Sequence, residues 1–211
     1  MLYFSNTDKI SLITKEKYTL VLAYANNIKL TFKNYLKDIF INKQELELVL
    51  ISRDYLIDII FFFKKHINSL FNTLTDIVVI DYPGKKERFA VVYQISSYFY
   101  NARIKIRTYT TTLDPIDTIT EIFLGASWYE RECWDMFGVS FLGHKDIRRI
   151  LTDYGFKGHP LRKDFPLTGF IEVFYNDSKK RIVYEKVSLA QKYRHFKFHN
   201  PWVKIGKNKP F

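Results

Sequence analysis

A single cysteine, Cys133, is all the thiol chemistry that the 211 residues offer. No internal disulfide can form, and the four thiolates that an iron–sulfur cluster ordinarily takes from protein are not available. Long apolar runs are missing too. A membrane-spanning helix needs about 18–20 apolar residues, whereas the best stretch, Leu56 to Phe63, is short and interrupted by Asp58. Glycine is sparse, at eight residues, and none of them builds a G-x-G-x-x-G phosphate loop. Gly155-x-x-Gly158 follows no predicted strand and opens no helix, so binding of a nicotinamide or flavin by this chain is not expected. The first residues, Met1-Leu2-Tyr3-Phe4-Ser5-Asn6, lack the basic start of a secretory signal and the Arg- and Ser-rich pattern of a transit peptide.

Aromatics and positive charge are abundant instead, with 19 Phe, 15 Tyr and a net charge of +11. The charge is unevenly placed. Residues 141–211 hold 16 Lys/Arg against 6 Asp/Glu, so the first 140 residues are close to neutral and the remainder is basic. A basic tail calls for an acidic partner surface or a polyanion. The wealth of Phe, Tyr, Lys, Asn and Ile suits an A+T-rich, organelle-encoded gene.

The apolar periodicity predicts an α+β domain. A first helix is expected from about Asp8 to Ala25. Strands follow at Tyr35–Ile41 and Glu45–Ile51, the second alternating Leu46, Leu48 and Leu50 with its neighbours. Ser52 then caps a helix with Leu56, Ile59, Ile60, Phe63 and Ile67 at helical spacing. Three more strands are expected at Thr75–Tyr82, Arg88–Tyr98 and Arg103–Thr110, joined by short turns that make them antiparallel neighbours. Pro115 should open a brief helix, Asp117–Phe123. The fold class is thus an antiparallel or mixed sheet with packed helices, followed by a long extended C-terminal tail. Three segments are expected: an α+β domain over 1–138, a Gly/Pro-rich interface loop over 139–166, and a tail over 167–211 that wraps a partner.

The chain is organised around the stretch from Ser127 to Pro166. Ser127 and Glu130 have the spacing of a capping box, worth about 1 kcal/mol, and Gly138 suits the left-handed position at a helix end. Tyr129, Cys133, Met136 and Phe137 fall on one face, with Arg131, Glu132 and Asp135 on the other. Beyond the helix the glycines and prolines preclude long elements. Yet Ile147, Ile150, Leu151, Tyr154, Phe156, Leu161 and Phe165 would be stranded in water if this loop were loose. Arginines interleaved with such residues suit an obligate protein interface. Phe170–Tyr175 and Arg181–Val187 read as a hairpin across Asn176-Asp177-Ser178-Lys179. A lone hairpin is marginal in water, so the tail should be ordered only against another subunit.

The acidic and histidine clusters read as structural rather than catalytic. Glu130, Glu132 and Asp135 lack a nucleophile or a second carboxylate placed to help them, and Arg131 with Asp135 reads as an i,i+4 ion pair. His195 and His199 have metal-ligand spacing on a helix, but Pro201 follows at once and no Cys or Glu joins them. His159, between Gly158 and Pro160, reads as a hydrogen-bonding loop residue, and Cys133 as a buried small hydrophobe.

The residues Glu130-Arg131-Glu132-x-Trp134-Asp135-Met136-Phe137-Gly138, followed by Arg148-Arg149-Ile150-Leu151-Thr152-Asp153-Tyr154-Gly155-Phe156-x-Gly158-His159-Pro160-Leu161-Arg162-Lys163-Asp164-Phe165-Pro166, resemble the signature of the 30-kilodalton subunit family of respiratory complex I. The resemblance runs from about Asp76 to Trp202. It implies a cofactor-free subunit of the hydrophilic arm of NADH:ubiquinone oxidoreductase, lying against the 49-kilodalton subunit on the matrix side of the mitochondrial inner membrane. Iron–sulfur clusters and FMN would then be held by other subunits, and the membrane met only through the complex. Ser127, Glu130, Arg131, Glu132, Trp134, Asp135, Phe137 and Gly138 form the signature helix. Contacts are expected from Arg148, Arg149, Asp153, Tyr154, His159, Leu161, Arg162, Lys163, Asp164 and Phe165 in the loop, and from Tyr184, Phe196, Phe198 and Trp202 in the tail. The family often has acidic residues where Lys157, Lys192 and Lys197 stand, Pro at Lys145 and an aliphatic at Cys133, which implies a more acidic docking surface on the partner. The alternative is a basic RNA-binding protein, such as a mitochondrial ribosomal component, with binding that weakens steeply in salt.

Overall fold

In the computed structural model of the chain, residues 6–42, 45–194 and 196 are described. They fall into two compact units, Met1–Phe165 and Pro166–Phe211. The first opens with helix α1, Asn6–Thr31, longer than the expected 8–25 because neither Pro nor Gly interrupts it and Ala25 and Ile28 both bury in the core. A hairpin follows, β1 (Leu36–Asn42) and β2 (Glu45–Leu50). Ser52 caps the next segment as expected, its hydroxyl accepting from the Asp54 amide, although what it caps is a single 3-10 turn that leads into helix α2, Leu56–Lys65. Leu56, Ile59, Ile60 and Phe63 are buried along one side of α2. Ile67 is not: the helix stops two residues before it, and its side chain is exposed.

Strands β3 (Thr73–Asp81), β4 (Phe89–Ser97) and β5 (Ala102–Thr110) complete a five-stranded sheet in the order β1-β2-β5-β4-β3. Short turns make β3, β4 and β5 antiparallel neighbours, as expected. The sheet is mixed because β2 pairs with β5 in parallel, Leu48 opposite Ile106, with α2 lying in the chain between β2 and β3. Phe63, Phe71, Phe89, Leu48, Ile95, Ile104 and Ile106 are all fully buried in its core.

No brief helix follows Pro115. Ile116–Asp117 (β6) instead pairs in parallel with Phe141–Leu142 (β7), because the Ile116 and Thr118 amides donate to the Ser140 and Leu142 carbonyls. Helix α3, Ala126–Phe137, lies against β3, and the Cys133 thiol donates to the Ile77 carbonyl at 3.6 Å. Cys133 is therefore the small buried hydrophobe expected, with burial pushing its thiol pKa up.

The second unit carries the predicted hairpin, β8 (Ile171–Asn176) and β9 (Arg181–Lys186). Its turn is closed by the Asn176 carboxamide oxygen, which accepts from the Ser178 and Lys179 amides at 3.0 and 3.1 Å.

Candidate docking interface

The last turn of α3 presents four carbonyls that the helix itself cannot satisfy. Gly138, at φ 74°, turns the chain so that its amide donates to the Trp134 carbonyl at 2.8 Å. The other three carbonyls are taken by a segment more than twenty residues on. His159 Nδ1–H donates to the Asp135 carbonyl at 3.0 Å, the Leu161 amide to Met136 at 3.1 Å, and Arg162 Nε–H to Phe137 at 2.6 Å. The guanidinium also sits where a cation best complements the negative end of the helix. His159 is edge-on to the Trp134 ring, and burial lowers its pKa, so it stays neutral in this role.

Asp135 anchors the same loop from within. Its carboxylate is fully buried and accepts from the Ile150, Leu151 and Thr152 amides at 3.1, 2.7 and 3.0 Å, from the Thr152 hydroxyl at 2.7 Å and from Arg149 at 3.1 Å. Burial alone would raise its pKa. The Thr152 hydroxyl and the three amides outweigh that and hold it at about 2. The expected ion pair between Arg131 and Asp135 is therefore absent: Arg131 reaches Asp146 instead and lies over the Trp128 ring. Asp135 is also fully buried, although it falls opposite the apolar face on the helical wheel.

A second carboxylate, Asp81 at the end of β3, holds the loop at residue 163. Both of its oxygens receive Arg88, at 2.7 and 2.8 Å, and the Lys163 amide donates to it at 2.9 Å. Arg88 reaches on to Asp164 at 3.0 Å and stacks against buried Phe89, as does Arg162. The Arg88 hydrogen bond keeps the Asp81 pKa below its ordinary value. Neither Asp81 nor Arg88 was singled out from the sequence. The available signal was an acidic residue closing one strand and a cation opening the next, across the turn containing Pro83.

Glu130 does not cap α3. Gly125 occupies the cap position without a side-chain bond, and the Glu130 carboxylate is fully buried, accepting from the Thr118 hydroxyl at 2.5 Å and the Ile119 amide at 2.9 Å. Ser127 Oγ instead lies 3.3 Å from His144 Nε2. Burial pushes the Glu130 pKa up to about 7, because two donors offset less of the desolvation than the five at Asp135.

These anchors fix which loop residues face outward. Tyr154 is 98% exposed, Leu151 and Leu161 are more than half exposed, and Arg148 stands in solvent beside Asp146. Asp153 accepts from the amide of Tyr154, and the Phe165 ring meets Phe156 at 5.9 Å. Arg149, His159, Arg162, Lys163 and Asp164 hold the loop to its own domain through the bonds above, while Glu132 is exposed on α3. In the second unit Tyr184 and Phe196 are exposed. Phe198, Trp202, His195 and His199 lie outside the described residues.

The fold is a mixed-sheet α+β domain with a long loop locked to one helix end and apolar side chains held outward on that loop. Residues 49–171 match the family described as the 30 Kd subunit of respiratory-chain NADH dehydrogenase, and the chain belongs to that family. The chain is 46% identical over 179 residues to NADH-ubiquinone oxidoreductase subunit 9 of Reclinomonas americana, covering 85% of this chain and 87% of that protein. It is 50% identical over 151 residues to NADH dehydrogenase (ubiquinone) iron-sulfur protein 3 of Arabidopsis thaliana, covering 72% and 80%. Among solved structures, a chain of the archaeal membrane-bound sulfane sulfur reductase, a respiratory membrane complex, shares the fold with a TM-score of 0.58 at 24% identity, over 69% of this chain and 86% of that one. The family match begins at residue 49, well before the Asp76 from which the signature resemblance ran. The RNA-binding alternative gains no support from these relatives.

Proposed function

We propose that this chain is a non-catalytic subunit of mitochondrial NADH:ubiquinone oxidoreductase. It stands in the matrix-side arm and supports assembly of the quinone-reducing module by docking on the 49-kilodalton subunit. With one cysteine, buried and with its pKa raised, the chain holds no cluster of its own, and electrons pass through groups bound by other subunits.

The observation that carries this reading is the hairpin of the second unit. Strand alternation puts Ile171, Val173 and Tyr175 of β8 beside Ile182 and Tyr184 of β9 on a single face, Val173 opposite Tyr184 and Tyr175 opposite Ile182. Each of the five is at least half exposed. Covering them recovers about 1 kcal/mol apiece, which an isolated two-stranded hairpin needs for its stability. The test is to introduce Val173→Asp together with Tyr184→Asp in the gene and resolve mitochondrial membranes on a native gel stained for NADH oxidation. The variant chain should be severalfold depleted from the NADH-oxidising assembly, with the assembly itself reduced. Normal incorporation would overturn the proposal.

A further inference from the structure

Strand β1 forms one edge of the large sheet. It bonds to β2 on one side and, among the described residues, to no strand on the other. Such an edge presents a row of backbone donors and acceptors that water alone must serve. Beside it, between β1 and the C-terminal half of α1, lies a groove of about 290 Å³. Ala25, Leu36, Ile39 and Ile41 give it an apolar lining. Lys29, Lys33 and Lys37 surround that lining, all exposed, and among the described residues no carboxylate forms an ion pair with any of them. Among the described residues that line the groove, Asp38 is the one acidic side chain.

Lysines on a sheet edge discourage pairing with another copy of the same edge, since like charges would be brought together. Blunting the edge in this way requires no apolar groove beside it. The groove adds a second element, a recess that can take apolar side chains, and side-chain recesses beside a paired edge are how strand addition obtains specificity. The extra residue in the β1–β2 register falls at Lys37, between Leu36 and Asp38, and the ladder from Asp38 to Asn42 is regular. The regular part of the edge therefore suits an incoming strand of about five residues.

We infer that β1 accepts an extended acidic segment of another polypeptide as a sixth strand. Alternate apolar side chains of that segment fill the groove, and its carboxylates meet Lys29, Lys33 and Lys37. The site belongs to the first unit and shares no residue with the apolar hairpin face, so it does not depend on the role proposed for the tail.

The test titrates the full chain with a hexapeptide of alternating Glu and Val and follows amide hydrogen exchange along residues 38–41. Exchange there should slow about tenfold or more, while a Lys/Val hexapeptide leaves it unchanged. The triple variant Lys29→Gln, Lys33→Gln, Lys37→Gln should bind the acidic peptide about tenfold more weakly, the worth of three exposed charge pairs. Raising salt to about 0.5 M should weaken binding to the unsubstituted chain in the same direction, which keeps the test decisive if the variant is unstable. The inference is overturned if neither peptide protects β1, if both do so equally, or if the lysines and salt have no effect. Protection of β1 by raising the concentration of the chain alone would assign the edge to a second copy and overturn it as well.

Discussion

Replacing Asp135 by asparagine keeps the shape of the side chain and removes its charge. In the unsubstituted chain five donors converge on that carboxylate: three consecutive amides, the Thr152 hydroxyl and Arg149. Bonds to a charged acceptor are worth about 1 kcal/mol more than bonds to a neutral one. Thr152 can rotate its hydroxyl to suit the carboxamide, so the other four donors bear the loss, and Asp135→Asn should cost about 3–4 kcal/mol. That is a large share of the roughly 5–15 kcal/mol of a domain this size, yet small enough to leave it folded. Urea unfolding followed by far-UV circular dichroism measures the total. Amide exchange at Ile150, Leu151 and Thr152 localises it, and should accelerate at least a hundredfold in the variant. Because the native pKa is about 2 against an ordinary 3.8, the stabilisation is complete above about pH 4 and is lost as pH falls through about 2. The asparagine variant should lack that acid dependence. A change below about 0.5 kcal/mol, with the three amides still protected, would refute the view that Asp135 holds the loop.

Glu130 should behave in the opposite sense. Its pKa is raised from 4.5 to about 7, so the folded chain binds an extra proton between those values and loses stability as pH rises across that window, by about 3 kcal/mol in all; urea midpoints for Glu130→Gln should be nearly flat over the same range. Gly138→Ala forces a side chain onto φ 74° and drives its Cβ into the Arg162 guanidinium and to 2.6 Å from the His159 ring, whereas Gly155→Ala, at φ 72°, meets open space. Melting curves should show about 1 kcal/mol lost at Gly155 and at least twice that at Gly138. Cys133 should resist a disulfide reagent in the native chain and become labelled with the same urea midpoint as global unfolding, because its thiol is buried and its pKa raised.

Local patterns were legible where local forces decide the outcome. The alternating leucines of β2, the buried face of α2 up to Phe63 and the left-handed Gly138 follow from periodicity and backbone sterics and appear where expected, whereas Ile67 falls beyond the helix end. Glu130 was misread because the S-x-x-E pattern considers only the helix's own amides. Thr118 and Ile119, a separate segment, offer competing donors that the carboxylate reaches once buried. The ion pair drawn between Arg131 and Asp135 failed for a related reason: i,i+4 spacing permits a pair worth a few tenths of a kcal/mol, and three amides with Arg149 outbid it. Strand positions could be read from alternation, but alternation says nothing about neighbours. The parallel pairing of β2 with β5 was therefore not specified in advance.

That same pairing governs how the chain can be built. The central strand of the sheet, β5, is also the last of the five to leave the ribosome, and both of its neighbours must wait for it. Until residue 110 has emerged, the first hairpin and the β3–β4 pair are two half-sheets with open flanks, each with buried-type leucines and valines still in contact with water. The interval before closure is when the nascent protein is most prone to aggregate and most in need of a chaperone.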